Sequence, residues 1–300
     1  MHVHASQGPF ALGDDGAYQR WRDQKLARYP QPGELLVEVA DPAHLSDAER
    51  GKILQLCARA NMALVAVAQP ERLGDVNPMP GMMAQLGVSD LDRNEAADDQ
   101  GVSALTPGGA SKAQFQDYIP YRASAIGWHT DGYYNPADRQ VRGLTLYCQR
   151  QAPSGGENRL LDHEIAYILL RDKDPDFIRA FMDEEAMSIP PRMEGERIAR
   201  PERVGPVFSV QPDGRLHMRY TARTKSISWK QDATLAAARA ALTELMNSDT
   251  PWHAQTRLEA GQGLISNNPL HTRAAFAQSP EGSERILYRA RYHQPVPVVE

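Results

Sequence analysis

The sequence predicts a mixed, mainly β fold: a double-stranded β-helix, or jelly roll, whose core is braced by helices on one face. Many short β-favouring segments are separated by turns rich in glycine and proline. Helical segments are inserted between these strands at irregular intervals, and candidate ligand residues come from both halves of the chain. A parallel α/β sheet is the alternative, but the strand-helix alternation is irregular and a glycine-rich phosphate turn is missing.

Length and composition predict one domain over residues 1–300. A hydrophobic content of 41% in 300 residues is enough for one large domain or at most two, and no linker divides the chain convincingly. The formal net charge of -5 shows no basic excess, so we expect neither nucleic acid nor an anionic membrane as a partner. The longest apolar run, Met62 to Ala68, is too short to cross a bilayer, and the N-terminus lacks an export signal.

The two cysteines, Cys57 and Cys148, lie in separate apolar segments and do not form a CxxC pair. Reduced, buried thiols are typical of cytoplasmic proteins, so the sequence predicts a cytoplasmic location. Homo-oligomers are common among globular proteins of this size, and the sequence leaves the subunit number open.

The first part of the chain contains a predicted strand-helix-strand unit after an irregular start. Residues 1–32 are polar and contain several glycines and prolines, which favours an irregular N-terminal arm. Glu34 to Val39 is short, apolar and partly β-branched, so we expect a strand. Residues 46–49 then form a capping box that predicts a helix over 46–60. Met62 to Ala68 predicts a second buried strand.

Residues 70–114 are rich in proline, glycine and scattered charges, and we expect only a short helix around Met82 within them. A loop of this length in a compact chain is either a surface excursion or a lid or substrate-binding loop. A β-favouring stretch from Phe115 to Trp128 follows it.

Strands and helices alternate through the rest of the chain. Asp162, Asp174 and Asp232 are predicted N-caps of three helices. The turn residues 212–214, Pro-Asp-Gly, predict a hairpin between two short strands. The expected strands span residues 140–148, 158–161, 207–210, 216–220, 255–258, 263–266 and 286–292.

Residues 127–132, Gly-Trp-His-Thr-Asp-Gly, contain the strongest candidate for a metal site. Residues two apart on an extended segment project from the same face, so His129 and Asp131 can point at one ion. One further imidazole would complete a facial triad of two histidines and one carboxylate, which suits Fe(II) and leaves three positions open. His271 is the candidate for that imidazole. The same ligands also suit Zn²⁺, so a zinc hydrolase is an alternative.

Five ordered motifs extend this observation. They are Trp-His-Thr-Asp-Gly at 128–132, Gly-Gly-Glu-Asn at 155–158, Gly-Pro-Val at 205–207 with Asp-Gly-Arg at 213–215, Asn-Pro-Leu-His-Thr-Arg-Ala-Ala-Phe at 268–276, and Arg-Ile-Leu-Tyr-Arg at 285–289. With these motifs in this order, the chain resembles the taurine dioxygenase (TauD/TfdA-like) family of Fe(II)- and 2-oxoglutarate-dependent oxygenases. The fourth motif and the terminal arginine pair are the specific part of the resemblance.

The resemblance implies roles for individual residues. His129, Asp131 and His271 would hold Fe(II) at the catalytic centre. Arg285, the first arginine of the terminal pair, would bind 2-oxoglutarate, and Arg289 would lie nearer the anionic group of the primary substrate.

Other residues near these motifs carry further expectations. The family commonly has a threonine at the position of Asn158, whose amide can also donate to a carboxylate of 2-oxoglutarate. Asn268 and Arg273 flank His271 and are expected to orient it, although Arg273 could equally form a structural ion pair. Arg291 is predicted to face water, and Arg219 is a further candidate for contact with an anionic substrate.

The implied activity is hydroxylation of a C–H bond in a small anionic or amino-acid-like substrate. It would consume O₂ and 2-oxoglutarate and release succinate and CO₂. Asp131 leaves no vacated ligand position for chloride, so hydroxylation is favoured over halogenation. Desaturation, cyclisation or C–N cleavage with the same cofactors is one alternative, and a non-catalytic jelly-roll binding protein is another.

Overall fold

The structure, a computed structural model, describes residues 7–93, 97–107, 119–225, 227–279 and 284–298. The α-helices are α1 (Asp15–Arg28), α2 (Asp47–Ala60), α3 (Met79–Gln85), α4 (His163–Lys173), α5 (Pro175–Phe181) and α6 (Ala233–Asn247). The strands are β1 (Leu36–Val39), β2 (Met62–Val67), β3 (Val102–Leu105), β4 (Ile126–His129), β5 (Gly143–Arg150), β6 (Asn158–Leu161), β7 (Met187–Ile189), β8 (Arg192–Glu194), β9 (Arg197–Arg200), β10 (Arg203–Gly205), β11 (Phe208–Val210), β12 (Leu216–Met218), β13 (Ser228–Trp229), β14 (His253–Thr256), β15 (Gln262–Ser266), β16 (Leu270–Arg273) and β17 (Ile286–Tyr292).

A six-stranded major sheet has the order β1-β2-β15-β5-β17-β3. Only the edge pair β1-β2 is parallel, and the other neighbours run antiparallel. Helix α2 packs against β1 and β2 and buries Ile53 and Leu56. Its predicted capping box is confirmed, because the Ser46 hydroxyl accepts from the Glu49 backbone N–H and the Glu49 carboxylate accepts from the Ser46 N–H.

A four-stranded minor sheet has the order β14-β6-β16-β4. Strand β4 ends at His129, and β16 contains His271. Strand β6 has the predicted bounds, whereas β16 was not predicted from the sequence. The two histidines of the proposed ligand set, His129 and His271, therefore lie on neighbouring strands of this sheet.

Contacts divide the chain into two compact units. One contains the major sheet and comprises the described parts of residues 30–127, 141–160 and 254–298. The other comprises residues 7–29, 128–140 and the described parts of 161–253. This second unit contains α1, α4, α5, α6 and three small sheets, with the orders β10-β7-β13, β11-β12 and β8-β9. The single domain over residues 1–300 stays a prediction.

The second unit has an aromatic core of its own. Tyr167 of α4 and Phe181 of α5 both meet Phe208 of β11 edge-on, at ring-centroid distances of 5.5 and 5.9 Å. All three side chains are fully buried. The predicted hairpin is confirmed as the antiparallel pair β11-β12, and the predicted N-caps of α4, α5 and α6 each accept a backbone N–H.

The predicted irregular arm over residues 1–32 is wrong for residues 15–28, which form α1. Asp14 caps this helix by accepting from the Ala17 N–H at 3.0 Å. Its buried residues are Tyr18 and Lys25 rather than an apolar stripe, so hydrophobic periodicity gave no signal. The Lys25 ammonium group lies 2.7 Å from the Asp162 carboxylate, which compensates its burial.

The region 70–114 contains more structure than expected. The short helix around Met82 is confirmed as α3, and β3 adds an edge strand beside β17 that was not predicted. Residues 94–96 and 108–118 lie outside the described part of the chain, as does the beginning of the predicted β-favouring stretch from Phe115. The lid or substrate-loop role of 70–114 therefore stays a prediction. Among the described helices, none has both the length and the apolar character needed to span a membrane.

Candidate metal centre

The His-Thr-Asp segment is held in place through its middle residue. The Thr130 backbone N–H donates to the Tyr220 carbonyl oxygen, and the Tyr220 N–H donates to the Thr130 hydroxyl, each at 3.0 Å. Gly132 then has a φ of +67°, a conformation that L side chains rarely adopt. This turn ends the segment directly after Asp131, so the two flanking side chains have fixed starting points.

His129 and Asp131 approach each other as the sequence predicts. The His129 Nε2 atom lies 3.6 Å from the Asp131 Oδ1 atom. The Asp131 residue is only 6% exposed. A buried carboxylate beside an imidazole nitrogen is a suitable start for a site that binds a divalent cation.

His271 has a defined tautomer. Its Nδ1 atom lies 3.0 Å from the Pro269 carbonyl oxygen, which can only accept, so Nδ1 carries the proton and the lone pair is on Nε2. Asn268 adopts a left-handed backbone with a φ of 54°, and its amide donates to the Val141 carbonyl oxygen at 2.7 Å. This buried amide fixes the turn that leads to His271, in agreement with the expected orienting role.

The three predicted ligand residues come together. One ligand atom from each of His129, Asp131 and His271 lies within 4.8 Å of the others. A divalent transition metal holds such atoms at about 2.0–2.2 Å. Facial ligands lie roughly 90° apart around the ion, so their ligand atoms are about 3 Å from one another. Rotation of the side chains toward a common point would bring the three atoms to that spacing. The donor set therefore fits a metal ion with a facial arrangement of ligands.

Arg285 is a buried cation near the glycine pair of residues 155 and 156. It is 5% exposed, and its guanidinium group lies 4.8 Å from the centre of the Phe276 ring. Among the described residues, no hydrogen-bond acceptor reaches its Nη1 atom. Burial lowers the pKa of Arg285 below its usual value. Such a cation is matched to a carboxylate ligand, which would supply the missing acceptor and the compensating charge.

The glycine pair allows a close approach between two backbone segments. Gly155 has a φ of +75°, and a Cβ atom there would lie 2.2 Å from the Ala275 carbonyl oxygen. The Gly156 N–H donates to that same oxygen at 3.1 Å. Asn158 is buried, and its amide nitrogen lies 3.5 Å from the Gly156 carbonyl oxygen, a long hydrogen bond. Its proposed contact with 2-oxoglutarate stays a prediction.

Arg273 has an orienting contact of its own. Its guanidinium group donates to the carbonyl oxygens of Pro120 at 2.9 Å, Arg122 at 2.5 Å and Ser124 at 2.7 Å. These acceptors lie just before β4, so Arg273 secures the segment that leads to the His-Thr-Asp motif. Burial, together with the nearby charges of Arg285 and Arg289, lowers the pKa of Arg273 to about 10. Three guanidinium groups therefore create a positive field in this region.

The prediction that Arg291 faces water is wrong. Arg291 is 2% exposed, and its Nη2 atom lies 2.5 Å from the Asp92 carboxylate. The Asp92 backbone N–H also donates to the Arg291 carbonyl oxygen at 2.7 Å. The segment around Asp92, from a distant part of the chain, thus covers this end of β17. The spacing of residues along one strand cannot predict burial by such a distant segment.

Arg219 is buried, and its guanidinium group is hydrogen-bonded to backbone carbonyl oxygens. Its guanidinium group donates to the Gly205 carbonyl oxygen at 3.0 Å and to that of Arg203 at 3.3 Å, and it also contacts the Met187 carbonyl oxygen. Burial lowers the pKa of Arg219 to about 10. We therefore assign Arg219 a structural role in joining β7 and β10.

Comparison with known proteins gives one curated relative with significant similarity. A uridine-5'-phosphate dioxygenase from Amycolatopsis sp is 31% identical to this chain over 170 residues. The matched segment covers 55% of this chain and 60% of that relative, so less than two thirds of the relative's length is spanned.

Solved structures of low sequence identity share the fold. An asparagine oxygenase in complex with Fe(II), 2S,3S-3-hydroxyasparagine and succinate superposes with a TM-score of 0.58 at 14% identity, covering 82% of this chain and 78% of the other. The non-heme iron oxygenase OrfP in complex with Fe and alpha-ketoglutaric acid superposes with a TM-score of 0.60 at 18% identity, covering 84% and 81%. These matches confirm the predicted jelly roll.

A family model described as "Taurine catabolism dioxygenase TauD, TfdA family" matches residues 36–291. That segment includes the three predicted ligand residues, the glycine pair and Arg285. Because the match extends over most of the sequence, this chain belongs to the TauD/TfdA family.

Proposed function

We propose that this protein is an Fe(II)- and 2-oxoglutarate-dependent dioxygenase that hydroxylates a C–H bond of a small anionic or amino-acid-like substrate. The observation that carries this proposal is the convergence of His129, Asp131 and His271 within 4.8 Å. Family membership supports it, because the matched family model is named for a dioxygenase.

His129, Asp131 and His271 are the residues that would hold Fe(II). When bound, the iron supplies O₂ activation coupled to the conversion of 2-oxoglutarate into succinate and CO₂. The hydrogen bond from His271 Nδ1 to the Pro269 carbonyl would present Nε2 as the ligand atom. The buried Asp131 carboxylate would balance part of the charge of the metal ion. A set of three protein ligands would leave room for 2-oxoglutarate and O₂.

Arg285 would bind the carboxylate of 2-oxoglutarate that lies away from the metal. Its guanidinium fork can donate two parallel hydrogen bonds to a carboxylate, and its place on the Phe276 ring fixes the plane of the fork. Arg289 adds positive charge nearby and would contact either 2-oxoglutarate or the primary substrate. The amide of Asn158 would take the place of the threonine hydroxyl that is common in the family.

The names of the similar proteins guide the choice of substrates to test. One relative is named for uridine-5'-phosphate, the asparagine oxygenase structure contains hydroxylated asparagine, and a second OrfP structure contains (3S)-hydroxy-L-Arg. All of these are small molecules that contain an anionic group, which agrees with the class that we propose. We also propose a cytoplasmic location, since Cys57 and Cys148 are both free and buried.

Succinate release in the presence of uridine-5'-phosphate, asparagine, arginine and a wider set of small acids tests this function. We expect a compound of this class to stimulate succinate formation, and we expect formation to require both Fe(II) and 2-oxoglutarate. Mass spectrometry of the stimulating compound should show a gain of one oxygen atom. Loss of hydrogen without gain of oxygen would support desaturation instead, and succinate formation without added Fe(II) or 2-oxoglutarate would contradict the proposal.

A further inference from the structure

Two arginines contact the two tyrosines that follow the His-Thr-Asp segment, and a third arginine lies near one of them. The Arg223 Nη1 atom donates to the Tyr133 hydroxyl oxygen at 3.1 Å. The Arg200 guanidinium group lies 5.7 Å from the centre of the Tyr134 ring, and the two tyrosine rings meet edge-on at 5.2 Å. Arg203 is close enough to Arg200 for their charges to repel. We call Arg200, Arg203 and Arg223 the arginine cluster.

The arginine cluster is connected to the candidate metal centre by short contacts. Thr221 pairs with His129 in an antiparallel bridge. The Tyr133 hydroxyl accepts from Arg223, and the Thr221 side chain lowers the pKa of Tyr133, which burial raises. The Arg223 backbone N–H donates to the Thr221 hydroxyl at 3.4 Å. Since Tyr133 is only two residues beyond Asp131, the cluster lies next to two of the three proposed metal ligands.

No ion pair among the described residues involves a member of the arginine cluster, so its charges have no carboxylate partner there. By contrast, Arg192 and Arg197 in the same region both pair with Glu194, at 3.0 and 2.6 Å. The Arg203 Nε atom is buried, and no described residue accepts a hydrogen bond from it. Burial and the charge of Arg203 lower the pKa of Arg200. Gathering like charges in this way costs free energy that a bound anion would offset.

We propose that Arg200, Arg203 and Arg223 bind a phosphate-like dianionic group of the primary substrate, with Tyr133 and Tyr134 beside the adjoining part of that substrate. Arg200 donates to the carbonyl oxygens of Pro190 at 2.8 Å and Pro201 at 3.3 Å, which are neutral acceptors and leave its charge without a counter-ion. A single carboxylate is satisfied by one guanidinium fork, whereas three guanidinium groups without a carboxylate partner match a doubly charged tetrahedral oxyanion. Tyrosine rings beside them suit a planar or apolar group attached to that oxyanion. This assignment rests on the proposed function and specifies the substrate class of the same site.

Calorimetric titration with phenyl phosphate tests the assignment, using the complete chain loaded anaerobically with Fe(II) and 2-oxoglutarate. The double variant Arg200→Gln/Arg203→Gln should bind phenyl phosphate at least about tenfold more weakly than the unchanged protein. A matched control, Arg197→Gln/Arg215→Gln, removes the same charge from two arginines that pair with Glu194 and Asp213. That control should retain the original affinity, and the monoanion phenyl sulfate should bind more weakly than phenyl phosphate.

Two further measurements separate the outcomes. The Arg223→Gln variant should also weaken phenyl phosphate binding. Because the Arg223 side chain is exposed, we expect this substitution to change the free energy of unfolding by less than about 0.5 kcal/mol. The affinity for 2-oxoglutarate should be unchanged in every variant. The assignment would be overturned if the unchanged protein did not bind phenyl phosphate, or if the cluster variants and the control bound it with equal affinity. The proposed function would still stand in that case, provided that the protein binds 2-oxoglutarate. Absence of 2-oxoglutarate binding to the unchanged, iron-loaded protein would instead overturn the proposed function.

Discussion

The substitution His129→Ala should lower the rate of succinate formation by at least about a hundredfold, because loss of a partner that only orients a metal ligand already costs 10- to 100-fold. His129 ends β4, and its Nε2 atom lies 3.6 Å from the Asp131 carboxylate. Its removal would leave the proposed iron with two protein ligands. Two quantities should fall together in this variant. They are the rate of succinate formation at saturating 2-oxoglutarate, and the iron content after anaerobic loading.

The control for this variant is His44→Ala. His44 is exposed and bonds to Asp41, so its loss removes an imidazole without touching the candidate metal centre. The control should form succinate at the original rate. If His129→Ala kept both a full complement of iron and the original rate, His129 would not be a metal ligand.

The substitution Arg285→Met should weaken 2-oxoglutarate binding by a factor between roughly thirty and several thousand, because truncating one partner of a buried charge pair costs about 2–5 kcal/mol. In the ligand-free protein, by contrast, the buried Nη1 atom of Arg285 has no hydrogen-bond partner among the described residues. Removing that charge therefore relieves a desolvation cost, while the contact with the Phe276 ring is replaced by apolar packing. We expect the free energy of unfolding without 2-oxoglutarate to change by less than about 1 kcal/mol.

Arg291→Met is the matched comparison, because it removes the same group from the same end of the chain. Arg291 is paired with the buried Asp92 carboxylate at 2.5 Å, and the His293 imidazole lies 3.6 Å from the same carboxylate. Loss of Arg291 removes the guanidinium partner of this buried charge and should destabilise the fold by about 3–5 kcal/mol. Urea unfolding and calorimetric titration with 2-oxoglutarate measure the two effects separately. Equal losses of stability in both variants, with 2-oxoglutarate affinity unchanged in Arg285→Met, would remove Arg285 from the binding site.

Local signals in the sequence predict the elements that local interactions determine. The capping box of residues 46–49 defines the beginning of α2, and the Pro-Asp-Gly turn defines the β11-β12 hairpin. Helix α1 has a local signal in its N-cap Asp14 but lacks an apolar stripe, because its burial depends on Lys25 meeting Asp162 of a distant segment. Strand β16 is short and follows Asn-Pro, so only its neighbours β6 and β4 make it recognisable as a strand.

In the candidate site, too, some features follow from the local sequence and others depend on contacts between distant segments. The identity of the proposed ligands follows from residue type and motif order, since the required chemistry allows few side chains. The contacts that orient them do not follow, because the His271 tautomer depends on the Pro269 carbonyl in a turn. The ion pair of Arg291 with Asp92 and the arginine cluster beside Tyr133 likewise join residues that no local pattern connects.

Iron loading combined with a 2-oxoglutarate titration tests the central claim most directly. The protein is loaded anaerobically with Fe(II), its metal content is measured, and 2-oxoglutarate binding is followed by calorimetry with and without the metal. We predict a single Fe(II) per chain, its loss in His271→Ala, and 2-oxoglutarate binding that strengthens when the metal is present. Tightly bound zinc without any 2-oxoglutarate binding would contradict the account and favour a zinc hydrolase instead.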